Sequence, residues 1–208
     1  HMIWGGGYLA DVKDFAGGLV VHLTCGVGAL VIALVLGPRK GFPSTAMPPH
    51  NRTMVVTGAA MLWVGWFGFN AGSSWAADGL AGMAMLVTHI SAATGALTWM
   101  AIEWIKGGKP TIVGIATGMV AGLATITPAA GSVGPAGALL IGVMAGYICF
   151  YATQAIKGYF YIDDSLDVFP VHGVGGMLGI IMISFLGSPD GFLGTGAAGI
   201  AEGGVLVQ

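Results

Sequence analysis

Two histidines that each stand eight residues after an aspartate are the side chains of this sequence best suited to moving protons. His22 follows Asp14 and His172 follows Asp164, and long apolar runs contain both histidines. An ionisable group in an apolar interior is costly and usually marks a functional pathway, although a single buried histidine can also serve a structural hydrogen bond. Two imidazoles that share one proton titrate as a pair. The repeated spacing therefore predicts a coupled pair of histidines.

The composition predicts that these histidines lie in a membrane. Hydrophobic residues make up 55% of the chain and charged residues only 8%, whereas soluble proteins carry about 25% charged residues. Glycine accounts for 38 of the 208 residues, and small residues let membrane helices pack closely. The sequence therefore predicts an all-α, polytopic transmembrane helical bundle, and we expect no nucleic-acid partner.

The two cysteines give no sign of a metal centre. Cys25 and Cys149 lie in apolar runs and lack the spacing of a zinc motif. Such residues usually act as small buried hydrophobic side chains. We therefore expect neither a metal nor a cofactor.

Six uncharged stretches are long enough to approach the roughly 20 residues that a transmembrane helix needs. We predict a single transmembrane domain over 1–208 with helices at about 15–36, 54–75, 80–102, 111–128, 136–156 and 168–186. The glycine-rich remainder, 187–208, is interpreted as an extracytoplasmic loop. Small residues four apart predict close helix contacts in four places: Gly114/Gly118/Gly122, Gly68/Gly72, Gly142/Gly146 and Gly175/Gly179.

The distribution of basic residues predicts the orientation. Six of the seven Lys and Arg residues fall in alternate loops, namely Arg39, Lys40, Arg52, Lys106, Lys109 and Lys157. By the positive-inside rule these loops are cytoplasmic. We therefore predict a multi-pass protein of the cell membrane whose N-terminus is extracytoplasmic.

The depths of the two histidines predict that they meet. His22 lies about 12 Å from the outer end of the first helix, and His172 lies about 7–12 Å into the last helix from the opposite face. In a hydrocarbon core about 30 Å thick, both side chains approach the middle. The same spacing on helices of opposite direction is typical of an inverted repeat, whose site lies near the midplane.

The second predicted helix presents a face that suits a small cation. Trp66, Phe69 and Ser73 follow the helical spacing i, i+3, i+7, and Phe69 is expected to lie level with His22. Aromatic faces attract a desolvated cation by about 2 kcal/mol, and a hydroxyl can accept its hydrogen bond. The alternative is a simple aromatic packing face.

The aspartates near the histidines have a structural interpretation as well. Aspartate is a favoured helix N-cap and suits the positive end of the helix dipole. We expect this structural role for Asp164 and Asp167. For Asp14, capping and attraction of a cation at the outer mouth are compatible.

Three segments together resemble the ammonium transporter (Amt/Mep/Rh) family. They are Asp14-Phe-Ala-Gly-Gly with Val21-His22, Trp66-Phe-Gly-Phe-Asn-Ala-Gly-Ser73, and Asp164-Ser-Leu-Asp-Val-Phe-Pro-Val-His172-Gly. The resemblance covers essentially the whole chain. It implies a homotrimer in which each protomer has its own pore and eleven helices, the first ten forming two inverted halves. This chain would correspond to about the fifth to the tenth helix.

The resemblance also implies roles for individual residues. His22 and His172 would be the twin pore histidines, Phe69 a gating phenylalanine, Ser73 the outer-site hydroxyl, Trp66 a pore-lining aromatic and Asp14 the supporting acid. The partner gating phenylalanine would lie outside this chain. A PII-type regulatory protein would bind on the cytoplasmic side.

We therefore expect a channel or transporter for ammonium or ammonia, and not an enzyme. One alternative is an ammonium sensor of the same fold coupled to a signalling domain. Another is a membrane haem protein with His22 and His172 as axial ligands.

Overall fold

The computed structural model describes residues 1–187, which contain six helices long and apolar enough to cross a membrane. The predicted all-α bundle with six spans is confirmed for this part of the chain. The predicted loop at 187–208 falls outside the described residues, apart from Gly187. The spans are α1, Gly18–Leu36; α2, Arg52–Ser74; α3, Gly79–Gly107; α4, Ile112–Ala129; α5, Pro135–Tyr159; and α6, Phe169–Leu186.

The end of α3 differs from the predicted end because a charged side chain finds hydrogen-bond donors close by. The sequence predicts that α3 stops at 102, but the helix continues to Gly107. It does so because the Glu103 carboxylate accepts hydrogen bonds from Trp99 Nε1–H at 3.3 Å and from the Thr111 N–H at 2.6 Å. A charged residue ends an apolar run in the sequence, yet it need not end the helix.

Side-chain caps begin three of the spans. Asn51, Asp78 and Thr111 each accept a hydrogen bond from the backbone N–H three residues later, at 3.0, 2.9 and 2.9 Å. These bonds satisfy N–H groups that the first turn of a helix leaves without an intrahelical partner. The three caps therefore fix where α2, α3 and α4 start.

The centre of the bundle is the contact of α3 with α4 and α5, and small residues make it possible. A side chain at Gly118 would collide with Trp99 and with the Gly95 carbonyl, and one at Gly122 would collide with the Ser91 carbonyl. The close approach predicted for this glycine row is therefore present. Gly68 and Gly72 make no such contact within the described residues, where both have open space around the Cβ position.

Two ion pairs join the loops at one end of the bundle. Arg39, just after α1, binds both carboxylate oxygens of Asp163, with Nη2–Oδ1 at 2.7 Å and Nε–Oδ2 at 2.8 Å. The hydrogen bonds from Arg39 lower the pKa of Asp163 below its ordinary value. Lys157 contacts Asp167 at 2.7 Å. These contacts bring the 37–51 and 160–168 segments to the same end, as the charge distribution predicts.

Candidate functional site: a histidine pair beside an aromatic face

His22 and His172 meet directly where α1 and α6 cross. Their Nδ1 atoms are 3.2 Å apart and their ring centroids 5.1 Å apart. His22 is only 4% exposed, and His172 is partly buried. The structure therefore brings together the two histidines that the sequence pairs.

The crossing is close because glycine faces glycine. A Cβ on Gly26 of α1 would collide with the backbone of Gly173 on α6, and a Cβ on Gly176 would lie 2.5 Å from the Gly18 carbonyl oxygen. Both helices also begin with a wider π-helical turn, Gly18–Leu23 and Phe169–Gly173, and each turn contains the histidine. The two halves of the site are thus built in the same way.

An aspartate caps each of these turns. Asp14 accepts four backbone N–H groups through its two carboxylate oxygens, those of Gly17, Gly18, Leu19 and Val20, at 2.5–3.2 Å. Burial raises the pKa of Asp14, and the four N–H groups oppose that rise. Asp164 accepts the Phe169 N–H at 2.7 Å. Both aspartates therefore hold the turn that carries the histidine.

Thr127, at the end of α4, connects the pair to α2. Its hydroxyl contacts the Leu123 carbonyl at 2.7 Å, Trp66 Nε1 at 2.9 Å and His22 Nε2 at 3.2 Å. The indole N–H can only donate, and the one hydroxyl proton is directed to the carbonyl. His22 Nε2 must then donate its hydrogen bond to the hydroxyl oxygen.

This proton count assigns the tautomers of both histidines. With its proton on Nε2, neutral His22 has a bare Nδ1 that accepts a hydrogen bond. His172 must donate from Nδ1 at 3.2 Å, and its own Nε2 is then bare. The pair is therefore polarised, with N–H groups directed from His172 through His22 to Thr127.

The aromatic face predicted on α2 lies against the pair. The Trp66 ring stacks on His22 with centroids 5.1 Å apart, and the Phe69 ring stacks on it at 5.8 Å. Ser73 lies one turn further on, and its hydroxyl donates to the Phe69 carbonyl at 2.8 Å. Its lone pairs remain available to accept a hydrogen bond. An apolar groove of about 580 Å³ runs beside His22, Trp66 and Phe69.

The sequence reasoning missed two residues of this neighbourhood. The sequence arguments above predict no role for Thr127, although a threonine before Pro128 in an apolar run can indicate a buried polar contact. Cys25 is exposed rather than buried, and its sulfur lies within 4.8 Å of the ligand nitrogens of His22 and His172. His89 packs on Trp63, with ring centroids 5.1 Å apart, and takes no part in the pair.

Comparison with known proteins identifies the family of this chain. The family model described as Ammonium Transporter Family matches residues 1–208. The chain is 48% identical over 193 residues to ammonium transporter Amt1 of Archaeoglobus fulgidus, covering 91% of this chain and 49% of that protein. It is 46% identical over 181 residues to the ammonium transporter of Bacillus subtilis, covering 86% and 44%. The chain thus spans about half the length of these relatives.

Solved structures show the same fold. The crystal structure of Saccharomyces cerevisiae Mep2 superposes with a TM-score of 0.80 at 44% identity, covering 86% of this chain and 41% of that one. A structure described as a sensor Amt protein superposes with a TM-score of 0.85 at 30% identity, covering 91% and 50%. Because the family model matches residues 1–208 and the fold superposes on Amt and Mep structures, the chain belongs to the ammonium transporter family.

Proposed function

We propose that the full-length gene product conducts ammonium or ammonia across the cell membrane through an apolar pore lined by His22 and His172. The observation that carries the proposal is the pair itself, with its Nδ1 atoms 3.2 Å apart beside an apolar groove. Placing two imidazoles in a membrane interior costs free energy, and such ionisable groups usually line a pathway.

The first step is recruitment of the cation at the end of the groove near Ser73. The serine hydroxyl already donates its proton to the Phe69 carbonyl, so it meets an incoming ammonium ion as an acceptor. The faces of Phe69 and Trp66 attract the ion by about 2 kcal/mol once it is desolvated. Asp14 contributes by holding the first turn of α1, because its oxygens already accept four N–H groups.

The second step is transfer of one proton from the ammonium ion to solvent water at the outer end of the groove, before the deep part, so that ammonia enters and the proton stays outside. A charged ion in the deep part would lose its hydration without a paired countercharge, which is costly. Ammonia is neutral and passes at lower cost. The polarised pair then offers it a bare acceptor at His172 Nε2, and any proton that moves along the pair must pass between the two Nδ1 atoms.

The groove is open on one side within the described residues, and the chain spans about half the length of its relatives. We propose that further residues of the full-length gene product close the pore and supply a second gating ring opposite Phe69. We also propose a homotrimer, an extracytoplasmic position for residue 1, and a PII-type regulator at the end that carries Arg39 and Lys157.

Flux measurements on the full-length gene product in proteoliposomes test the proposal. We expect ammonium-driven flux in the wild type, and we expect His22→Ala to abolish this flux or its selectivity over potassium. The matched control is His89→Ala, which changes a histidine outside the pair. Wild-type flux and selectivity in His22→Ala contradict the proposal. Ammonium binding without flux in the wild type would instead favour the sensor.

A further inference from the structure

Three soft or borderline metal ligands come together at the crossing of α1 and α6. The sulfur of Cys25 and one nitrogen each of His22 and His172 lie within 4.8 Å of one another. Cys25 follows His22 by three residues, so the thiol lies one helical turn along from the imidazole. Nothing in the proposed transport path uses this thiol.

The distances suit a single ion with a small rearrangement. Two nitrogens bound to one metal at about 2.05 Å each lie roughly 3.3–3.6 Å apart for tetrahedral to trigonal angles. The two Nδ1 atoms are already 3.2 Å apart. A sulfur at about 2.3 Å from the metal would lie roughly 3.6–3.8 Å from each nitrogen. The Cys25 sulfur lies within 4.8 Å of one nitrogen of each ring, so it needs to approach those nitrogens by about 1 Å at most. Among the described residues it makes a weak hydrogen bond to the His22 carbonyl at 3.3 Å.

The hydrogen bonds around the pair favour metal binding at Nδ1. Thr127 accepts the Nε2–H of His22 and so keeps the His22 Nδ1 lone pair directed at the crossing. A hydrogen bond on the second ring nitrogen is how proteins orient histidine ligands. His172 reaches the same state when its proton moves from Nδ1 to Nε2.

Charge decides which metal suits the site. Two neutral imidazoles and one thiolate carry a charge of −1, so a monovalent ion gives a neutral complex. A divalent ion leaves a net positive charge, which is costly in an apolar interior. Thiolate and imidazole are also ligands that Cu⁺ accepts readily.

We propose that His22, His172 and Cys25 form a binding site for a soft monovalent cation of the Cu⁺ class. Binding forms one metal–sulfur and two metal–nitrogen bonds, and the thiol proton leaves to the solvent. No electron is transferred. The site occupies the gap between the two Nδ1 atoms, so a bound ion breaks the hydrogen bond of the pair and blocks the groove.

Competition with the chromophoric chelator bicinchoninate measures Cu⁺ affinity in the full-length gene product in detergent micelles under reducing conditions. The test variants are Cys25→Ser and His172→Gln, and the matched controls are Cys149→Ser and His89→Gln. We expect both test variants to lower the Cu⁺ affinity at least about tenfold, because even the loss of a residue that only hydrogen-bonds a metal ligand lowers affinity about 10–100-fold. We expect the controls to bind as the wild type does.

Two results would overturn the proposal. If His172→Gln keeps wild-type affinity, the ion binds to an isolated thiol. If Zn²⁺ displaces Cu⁺ at equal concentration, the charge argument is wrong. Binding is independent of the proposed transport, whereas block of ammonium flux by Cu⁺, relieved by Cys25→Ser, rests on it. Normal Cu⁺ affinity in a protein without flux therefore refutes the transport function and leaves the metal site standing.

Discussion

Replacing Thr127 by valine removes one hydroxyl and leaves two donors without an acceptor. Valine has almost the shape of threonine, so packing is preserved. The Trp66 N–H and the His22 Nε2–H, which contact the hydroxyl at 2.9 and 3.2 Å, lose their partner. A buried unsatisfied donor costs about 1–3 kcal/mol in soluble proteins, while hydrogen bonds between membrane helices average about 0.6 and reach about 1.7 kcal/mol. We expect the free energy of unfolding to fall by about 1–3 kcal/mol for the two donors together.

A double-mutant cycle with Trp66→Phe separates the two donors. Phenylalanine has no indole N–H, so in this background Thr127→Val leaves only the His22 donor unpaired. The cost of Thr127→Val should therefore drop by about 0.6–1.7 kcal/mol when Trp66 is phenylalanine. Reversible unfolding in mixed micelles measures both values. Thr127→Ser, which keeps the hydroxyl, is the matched control and should keep most of the stability that valine loses.

The same variant tests the tautomer assignment. Without Thr127 as acceptor, the proton of His22 gains freedom to occupy Nδ1, and the pair loses its polarity. We expect the ¹⁵N chemical shifts of His22 to change from those of an Nε2–H tautomer to a mixture. Additive energies in the cycle, or an unchanged His22 tautomer in Thr127→Val, refute the proton count.

Two further predictions concern the frame around the pair. Gly26→Ala should separate α1 from α6 and lower both stability and flux, because a Cβ there collides with Gly173. Gly28→Ala in the same helix should be tolerated, because that Cβ meets open space within the described residues. Thermal unfolding compares the stability of the two variants, and equal unfolding midpoints contradict the contact. The bonds from Arg39 lower the pKa of Asp163 below 3.8, so the stability they add is present above about pH 4 and is lost as the pH falls through the lower native pKa. Unfolding midpoints measured between about pH 6 and pH 3 should fall more in the wild type than in Asp163→Asn, and parallel curves contradict the assignment.

The length of the apolar runs and the spacing of motifs along the sequence were enough to predict most of the fold. Helix number follows from apolar length, because a membrane leaves the chain few other ways to satisfy its backbone. The pairing of His22 with His172 was predicted from the equal spacing of the two motifs on helices of opposite direction, without any tertiary contact. Small-residue spacing was less informative: within the described residues, the row at Gly118 and Gly122 makes close contacts, but Gly68 and Gly72 do not. Spacing shows that a helix can be approached, not that a neighbour is there.

The sequence by itself predicted six membrane-spanning helices, a pair of histidines that approach from opposite faces, and the family that its motifs resemble. Only the tertiary structure decided how the protons of that pair are arranged and what else lies beside it. Thr127 is on α4, more than a hundred residues from His22, and Cys25 becomes a neighbour of His172 only through the crossing of α1 and α6. Periodicity along a chain reports the face of one helix. The distances between atoms on different helices depend on how closely those helices pack, and at this crossing two glycines set that distance.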